Sequence, residues 1–244
     1  MRDGLFGVVV SLALNGIAYG AAPPSRLDRV LRDWASASEQ VRAAEYRFTL
    51  TEHDKSFGTK TTRMGIVRFC KPDHLRVDYL QGRGAASSCV FTPEAIHLLD
   101  VGNRTECVLQ WPRDRSFLGA TEAGQGWRLF GLAIRDGLAQ EVYWRFLGLP
   151  PLELPKHFRL RLTKEDASYV YLEGTPRRDW SKGYRFLQVV LTRKEHRVRR
   201  LYWQVANGST YTFDIEGYDP AALVAPKAIR DSLPGNYKRL EMAK

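Results

Sequence analysis

The side chains that perform most enzyme chemistry occur in this chain, but their spacing does not bring them together. The five histidines lie in separate predicted strands and turns: His53, His74, His97, His157 and His196. None belongs to an HExxH pair, and the three cysteines form no CxxC frame, so no zinc site is predicted. Covalent catalysis needs a nucleophile, a base and a group that orients the base, and no GxSxG, P-loop or GxGxxG motif is present. We therefore expect no enzyme, no bound metal and no cofactor.

Two local clusters suggest chemistry at first sight, and both have a simpler interpretation. Residues 119–127 (GATEAGQGW) are rich in glycine, but they contain no lysine to cradle a phosphate and do not follow a clear strand. This segment is interpreted as a flexible hinge. The neighbouring carboxylates Glu165 and Asp166 fall in a predicted turn, where solvated charge is expected.

The chain is basic, with 37 lysines and arginines against 27 aspartates and glutamates and a net charge of +10. This balance favours acidic partners, such as nucleic acid, anionic lipid or an acidic protein, or it reflects cations that line solvated strand faces. The stretch RVRRLYW mixes arginine with aromatic residues, as single-strand binders do. Its arginines lie on a predicted strand whose other residues face the core, so no nucleic acid is expected.

The N-terminus has the pattern of an export signal. Arg2 precedes an apolar stretch, residues 5–17, that is too short to span a bilayer, and Ala18 and Gly20 supply the small residues of a cleavage site. We expect residues 1–20 to be a signal peptide and residues 21–244 to be a soluble periplasmic domain; the alternative is an uncleaved membrane anchor. In an oxidising compartment the three cysteines are either buried thiols or one disulfide with one thiol.

A leading helix followed by a long series of strands is predicted to position these residues. Residues 25–41 carry one apolar stripe at helical spacing, formed by Leu27, Val30, Leu31, Trp34 and Val41. From Ala44 onward apolar residues alternate with polar ones, and Asn207-Gly208 marks a two-residue hairpin turn. We predict a mainly β (α+β) fold in which about eleven antiparallel strands form a curled sheet with a concave apolar face.

One segment interrupts this alternation. Residues 120–150 are predicted as a helical insert, because residues 127–147 are apolar nearly all round, with glycine breaks at Gly131 and Gly137. The insert ends in the strongly apolar stretch EVYWRFLGLPPLELP, which contains the paired prolines Pro150 and Pro151. Such a segment can cover the concave face of the sheet as a lid above a cavity, or its aromatic rings can fill the interior themselves.

The order of these elements resembles the LolA and LolB family of periplasmic lipoprotein carriers and receptors, together with the related sensor RseB. The resemblance runs from Leu27 to Tyr237. It rests on LDRVLRDW in the leading helix, EYRFTLTE in the first strand, GIVRFCKPDHLRVDY in the next two, and NGSTYTF and LPGNY near the end. It implies an unclosed half-barrel that holds a hydrophobic cavity under a helical lid. The aromatic insert and its paired prolines indicate a divergent branch of the family.

The resemblance also implies which residues bind the ligand. In the carriers an arginine before the turn proline helps to hold the lid shut; Lys71 has that place here, as a lid latch without the planar fork of donors. The expected cavity and lid residues are Phe48, Leu75, Trp127, Phe130, Ile134, Leu138, Tyr143, Trp144, Phe146 and Leu147.

The implied function is that of a periplasmic carrier or binding protein for lipids or lipoprotein acyl chains. The alternative is an envelope sensor of the RseB type, which binds a membrane-anchored protein without transporting lipid. In either case we expect a monomer that can touch a membrane surface through its arginines, since each cation near an anionic leaflet contributes roughly 1 kcal/mol.

Overall fold

Twelve β-strands in one sheet form the body of the computed structural model, which describes residues 24–71, 74–82, 84–110, 151–178, 183–219, 224–231, 233 and 235–240. Within those residues the strands are β1 (Ala43–Asp54), β2 (Thr59–Cys70), β3 (His74–Gln81), β4 (Gly84–Phe91), β5 (Ala95–Asp100), β6 (Thr105–Gln110), β7 (Phe158–Glu165), β8 (Tyr169–Pro176), β9 (Tyr184–Thr192), β10 (Val198–Val205), β11 (Thr210–Asp219) and β12 (Lys238–Leu240). The helices are α1 (Arg26–Gln40), α2 (Leu154–His157) and α3 (Pro226–Asp231). The predicted signal peptide and the predicted helical insert lie outside the described residues.

The sheet consists of two antiparallel meanders that meet where β1 pairs with β11. The strand order is β12-β6-β5-β4-β3-β2-β1-β11-β10-β9-β8-β7, and β12 pairs with β6 in parallel. Strands β7 and β12 are the edges and do not pair with each other, so the sheet stays unclosed. The predicted mainly β half-barrel is thereby confirmed, with β12 as a further short strand that the alternation does not reveal.

Strand β1 shows how the sequence creates the two faces of the sheet. Tyr46, Phe48 and Leu50 are buried, whereas Arg47 between them is exposed, because successive strand side chains point to opposite faces. The buried face joins one large apolar core that also contains Trp203 of β10 and Phe213 of β11. This core is the floor on which α1 lies.

Helix α1 begins at a complete N-terminal capping box. The Ser25 hydroxyl accepts a hydrogen bond from the Asp28 amide at 3.1 Å, and the Asp28 carboxylate accepts one from the Ser25 amide at 3.1 Å. The buried residues of α1 all lie in its first ten positions: Val30, Leu31, Trp34 and Ala35. The last turn of the helix carries no buried residue, so packing anchors α1 by its N-terminal two-thirds.

Two polar contacts show that α1 crosses one end of the half-barrel. At its start, the Arg26 guanidinium donates to both carboxylate oxygens of Glu165, each at 2.7 Å, where β7 ends. At its finish, the Lys71 ammonium donates to the Ser38 carbonyl at 2.5 Å, in the turn between β2 and β3. A helix of 15 residues is about 22 Å long. It therefore spans from the edge strand β7 to the other meander.

Tyr184, at the start of β9, makes the stability of the fold depend on alkaline pH. The pKa of Tyr184 is raised from 10.0 to about 12, mainly by burial of the hydroxyl and to a lesser extent by the nearby Tyr211. The native state therefore holds this proton more tightly than the unfolded chain does. The stabilisation is complete below pH 10 and is lost as the pH rises through about 12.

We expect Tyr184→Phe to remove this part of the pH dependence. Between pH 10 and 12 the parent should lose roughly 2 kcal/mol of unfolding free energy that the variant keeps, since one pKa unit corresponds to about 1.4 kcal/mol. Urea unfolding of both proteins across this pH range measures the difference. Parallel curves for the two proteins would rule out a role for the Tyr184 proton.

Candidate functional site

A small apolar hollow lies between the C-terminal half of α1 and the concave face of the sheet. Its volume is about 110 Å³. Strands β1, β2, β3, β10 and β11 supply its floor, and α1 supplies its roof. The apolar and aromatic side chains around it are Trp34, Ala37, Val41, Tyr46, Phe69, Leu75, Val198, Ile215 and Tyr218. Ser38, Lys71, His196 and Arg197 complete the lining, so three of its four polar residues are basic.

Aromatic contacts hold the floor of the hollow in place. The Tyr46 ring stacks on Tyr218 of β11, with ring centroids 6.0 Å apart, and meets Phe69 of β2 edge-on at 6.5 Å. Burial raises the pKa of Tyr46 well above its ordinary value, so this hydroxyl stays neutral. The floor therefore presents ring faces and no charge, which suits an apolar ligand.

Lys71 stands at the edge of the hollow, on the turn between β2 and β3. Its ammonium contacts the carbonyl of Ser38, which is one of the last four carbonyls of α1 and has no partner within the helix. Its backbone amide donates to the Arg42 carbonyl at 2.8 Å. Desolvation lowers the pKa of Lys71, Arg42 lowers it further, and Glu39 opposes the change. This half-buried cation therefore ties the end of α1 to the sheet.

The turn between β9 and β10 places a second cation beside the hollow. The Arg197 guanidinium lies over the Tyr218 ring, 4.6 Å from its centroid, and 3.7 Å from the Glu195 carboxylate. His196 Nε2 lies 3.8 Å from the Asp33 carboxylate of α1. His196 has a φ of 50°, a left-handed conformation that is uncommon for a residue other than glycine. The turn thus brings a cation to the hollow from the side opposite Lys71.

An open groove of about 880 Å³ leads from the surface to the hollow. The groove and the hollow share Ala37, Val41, His196 and Arg197 in their linings. Charged residues of both signs line the outer part of the groove: Asp33, Arg42, Lys194 and Glu195. A ligand with an apolar end and a polar head could therefore lie in the hollow with its head in the groove.

The structure places the sequence-predicted site residues in three different situations. Leu75 lines the hollow, and Lys71 lies at its edge. Phe48 is buried in the packed core, where it stacks on Phe213 with ring centroids 4.9 Å apart, and it is not among the residues that line the hollow. The remaining predictions lie outside the described residues: Trp127, Phe130, Ile134, Leu138, Tyr143, Trp144, Phe146 and Leu147.

Several residues of the hollow were not predicted from the sequence, although two of them carried a signal. Trp34 belongs to the apolar stripe of α1, and Tyr46 alternates in step with Phe48 on β1. Arg197 and Tyr218 carried no such signal, because their meeting depends on how β10 and β11 pair. Within the described residues α1 thus supplies the roof of the hollow, and the lid predicted for residues 120–150 lies outside them.

A buried charge cluster elsewhere on the sheet has a structural role. Asp78 of β3 is 5% exposed, and its carboxylate accepts hydrogen bonds from Arg68, Arg76 and Ser88 at 2.5 to 2.9 Å. These contacts satisfy the buried carboxylate. Among the residues that the structure describes, no group of three or more histidines, cysteines and carboxylates could hold a metal ion.

With its leading helix, its unclosed and mainly antiparallel sheet and its apolar hollow, the described part of the chain has the arrangement of elements that the sequence predicted. In the described part of the chain, no helix combines the length and the apolarity that a membrane crossing requires. No family model matches the chain, and no curated protein matches its sequence.

Solved structures give likenesses of low sequence identity. An uncharacterised conserved protein from Thermus thermophilus superposes with a TM-score of 0.52 at 10% identity, over 86% of this chain and 98% of that chain. A LolA superfamily protein from Nitrosomonas europaea has a TM-score of 0.38 at 8% identity, over 82% and 96% of the two chains. MucB in the MucA/MucB complex from Pseudomonas aeruginosa has a TM-score of 0.44 at 16% identity, over 84% and 60%. Likenesses at this level of identity concern the fold alone.

Proposed function

We propose that the chain is a periplasmic binding protein or carrier, without enzymatic activity, that holds an apolar chain of a lipid or of an acylated lipoprotein beneath α1. The observation that carries this proposal is the hollow itself, which has an apolar floor, a groove to the surface and a cation on either side. An apolar slot with a few placed polar groups is the usual form of a small-molecule site.

The size of the hollow sets the part of a ligand that it can hold. A volume of about 110 Å³ is below the ~150 Å³ of an engineered cavity that binds benzene, and it accommodates about four groups the size of a water molecule. In the form described here the hollow therefore accepts the end of an acyl chain. Uptake of a longer chain requires the roof to move.

The last turn of α1 is the part of the roof that can move at the lowest cost. Lifting the whole helix would expose three large buried side chains, Val30, Leu31 and Trp34, at about 1.5–3 kcal/mol each. Lifting only residues 36–40 exposes no buried side chain and breaks the contact between Lys71 and Ser38. Each methylene that an acyl chain buries contributes about 0.8 kcal/mol, so a few methylenes suffice to offset that contact.

Native mass spectrometry of protein purified from its own envelope fraction tests the proposal directly. We expect bound lipid or acylated peptide to appear as discrete mass additions that delipidation removes. The delipidated protein should then take up decanoic acid and decanol in solution. A delipidated protein that takes up neither compound would refute the proposed function.

Lys71→Met should separate the role of the cation from that of the apolar slot. Hydrogen bonds to a charged group are worth about 1.5–3 kcal/mol, so we expect the variant to bind decanoate about tenfold more weakly than the parent. Binding of decanol, which carries no charge, should change by less than a factor of about three. Titration calorimetry with both compounds measures this. Equal losses for acid and alcohol would show that Lys71 acts only on the shape of the site.

A further inference from the structure

The hairpin of β1 and β2 projects from the end of the half-barrel that lies opposite α1. Its two strands pair up to Asp54 and Thr59, whereas the pairing of β2 with β3 ends at Met64 and Leu80. Residues 59–63 of β2 thus extend beyond their neighbour, a distance of about 17 Å at ~3.4 Å per residue. On its other side β1 stays paired with β11 up to His53 and Thr210, so the hairpin projects past β3 and ends beside the turn between β10 and β11.

An aromatic side chain stands at the tip of this hairpin. Phe57 is 82% exposed, more than any other large hydrophobic residue in the described part of the chain. The Asp54 carboxylate accepts hydrogen bonds from the amides of Ser56 and Phe57, at 2.7 and 3.2 Å, and so shapes the turn. The Lys55 amide donates to the buried hydroxyl of Ser209 in the next hairpin at 3.0 Å. The exposed Phe57 ring therefore lies on a turn that several hydrogen bonds stabilise.

Positive charge surrounds the tip. The turns after β1, β5 and β8 lie at the same end of the sheet, because neighbouring strands alternate in direction. Exposed cations at this end include Lys55, Lys60, Arg104, Arg177 and Arg178. The carboxylates that the structure describes there are only partly exposed, and Asp54 and Asp100 are engaged in turn hydrogen bonds. At the α1 end, by contrast, exposed Glu94 and Glu195 lie among the cations.

We propose that this end of the half-barrel docks on an anionic lipid bilayer, with the Phe57 ring entering the interface. Aromatic rings favour the headgroup level of a membrane, and basic residues favour an anionic leaflet. The combination of one exposed ring and a cationic surround fits a lipid surface better than it fits a protein groove, which would need more apolar area. This proposal goes beyond the binding of a ligand in the hollow and does not depend on it.

Co-sedimentation with vesicles tests the proposal. The probe is a vesicle of phosphatidylcholine mixed with phosphatidylglycerol, and a vesicle of pure phosphatidylcholine is the comparison. The protein is the one isolated from cells that express the full chain. We expect binding to the anionic vesicles alone, weakening as salt is raised. Phe57→Ser should bind about tenfold more weakly, because the variant has no aromatic ring to transfer from water into the membrane interface. Met64→Ser is the matched control, since Met64 is 60% exposed on β2, away from the tip of the hairpin, and it should bind like the parent.

The charge contribution is tested in the same assay. Lys55→Gln combined with Lys60→Gln should weaken binding about 25-fold, at about fivefold for each charge. Arg29→Gln combined with Arg32→Gln removes the same charge from exposed residues of α1, at the opposite end, and should leave binding unchanged. Equal losses in the two double variants, equal losses in the Phe57 and Met64 variants, or no binding to anionic vesicles would overturn the proposal. Decanoate uptake by Phe57→Ser should stay at the parental level, which separates this test from that of the ligand site.

Discussion

Replacing Gly65 with alanine is expected to destabilise the chain by about 3 kcal/mol, near the upper end of what an added methyl group costs in a packed core. A Cβ atom at this position would lie well inside the 3.0 Å limit of normal contacts, against both the Phe48 ring and the backbone carbonyl of Asp78. The ring can turn only by disturbing its stack on Phe213, and the carbonyl belongs to the ladder between β2 and β3. No low-cost rearrangement therefore relieves the clash.

Gly84→Ala is the matched control for this experiment. Gly84 also lies in a strand, at the start of β4, and a Cβ atom there would meet nothing within 4 Å. We expect its unfolding free energy to stay within about 0.5 kcal/mol of the parent, or to rise slightly because alanine reduces the freedom of the unfolded chain. Urea unfolding of the three proteins measures both effects. Similar stabilities for the two variants would contradict the close packing of Phe48 over Gly65.

The same contact explains why Phe48 does not line the hollow. Phe48 and Gly65 face each other in the register of β1 and β2, and the missing side chain of glycine leaves a space that the ring fills. The alternation along β1 correctly places Phe48 on the buried face, as it places Tyr46. It cannot distinguish a ring that fills such a space from one that borders a hollow, because the neighbour across the strand pair decides this.

Local patterns were sufficient to predict most of the elements. The stripe of α1, the alternation of β1 and the hairpin at Asn207 and Gly208 depend on residues close in sequence, and all three are present. The hairpin loop, however, has three residues (206–208) where two were predicted, because Gln204 pairs with Thr210 and the Val205 amide donates to the Ser209 carbonyl. Gly208 adopts a φ of 91°, which glycine tolerates at such a turn. Elements of this kind can be predicted because the interactions that form them join residues only a few positions apart.

The pairing of distant elements could not be predicted in the same way. β11 pairs with β1 across more than half of the chain, and β12 joins β6 in parallel with only three residues. Nothing in the local sequence at Arg26 or Lys71 indicates that Glu165 or Ser38 will be its partner. The position of α1, and with it the hollow, follows from these distant contacts. The sequence therefore predicted an apolar site, but it did not indicate that α1 and the sheet enclose a hollow, because that depends on contacts between residues far apart in the chain.

Filling the hollow with Ala37→Phe is expected to weaken the binding of decanoate by about a hundredfold. Ala37 is a partly buried residue in the last third of α1 and borders both the hollow and the groove. A phenyl ring there occupies the space that about four methylene-sized groups would take. At about 0.8 kcal/mol for each methylene, their exclusion removes roughly 3 kcal/mol of binding free energy, which corresponds to about a hundredfold.

Ser36→Phe provides the control, because it adds the same ring one position earlier, where the side chain is exposed and borders the groove alone. The buried anchors of α1 remain in both variants, and Ala37→Phe should lose only about 0.5 kcal/mol more helix propensity than Ser36→Phe, because alanine is the better helix former and serine resembles phenylalanine. Calorimetric titration with decanoate should then show parental affinity, within about threefold, for Ser36→Phe only. If Ala37→Phe also binds decanoate at the parental level, the ligand does not enter the hollow. If both variants lose binding together, the groove rather than the hollow holds the chain, since only the groove borders both positions.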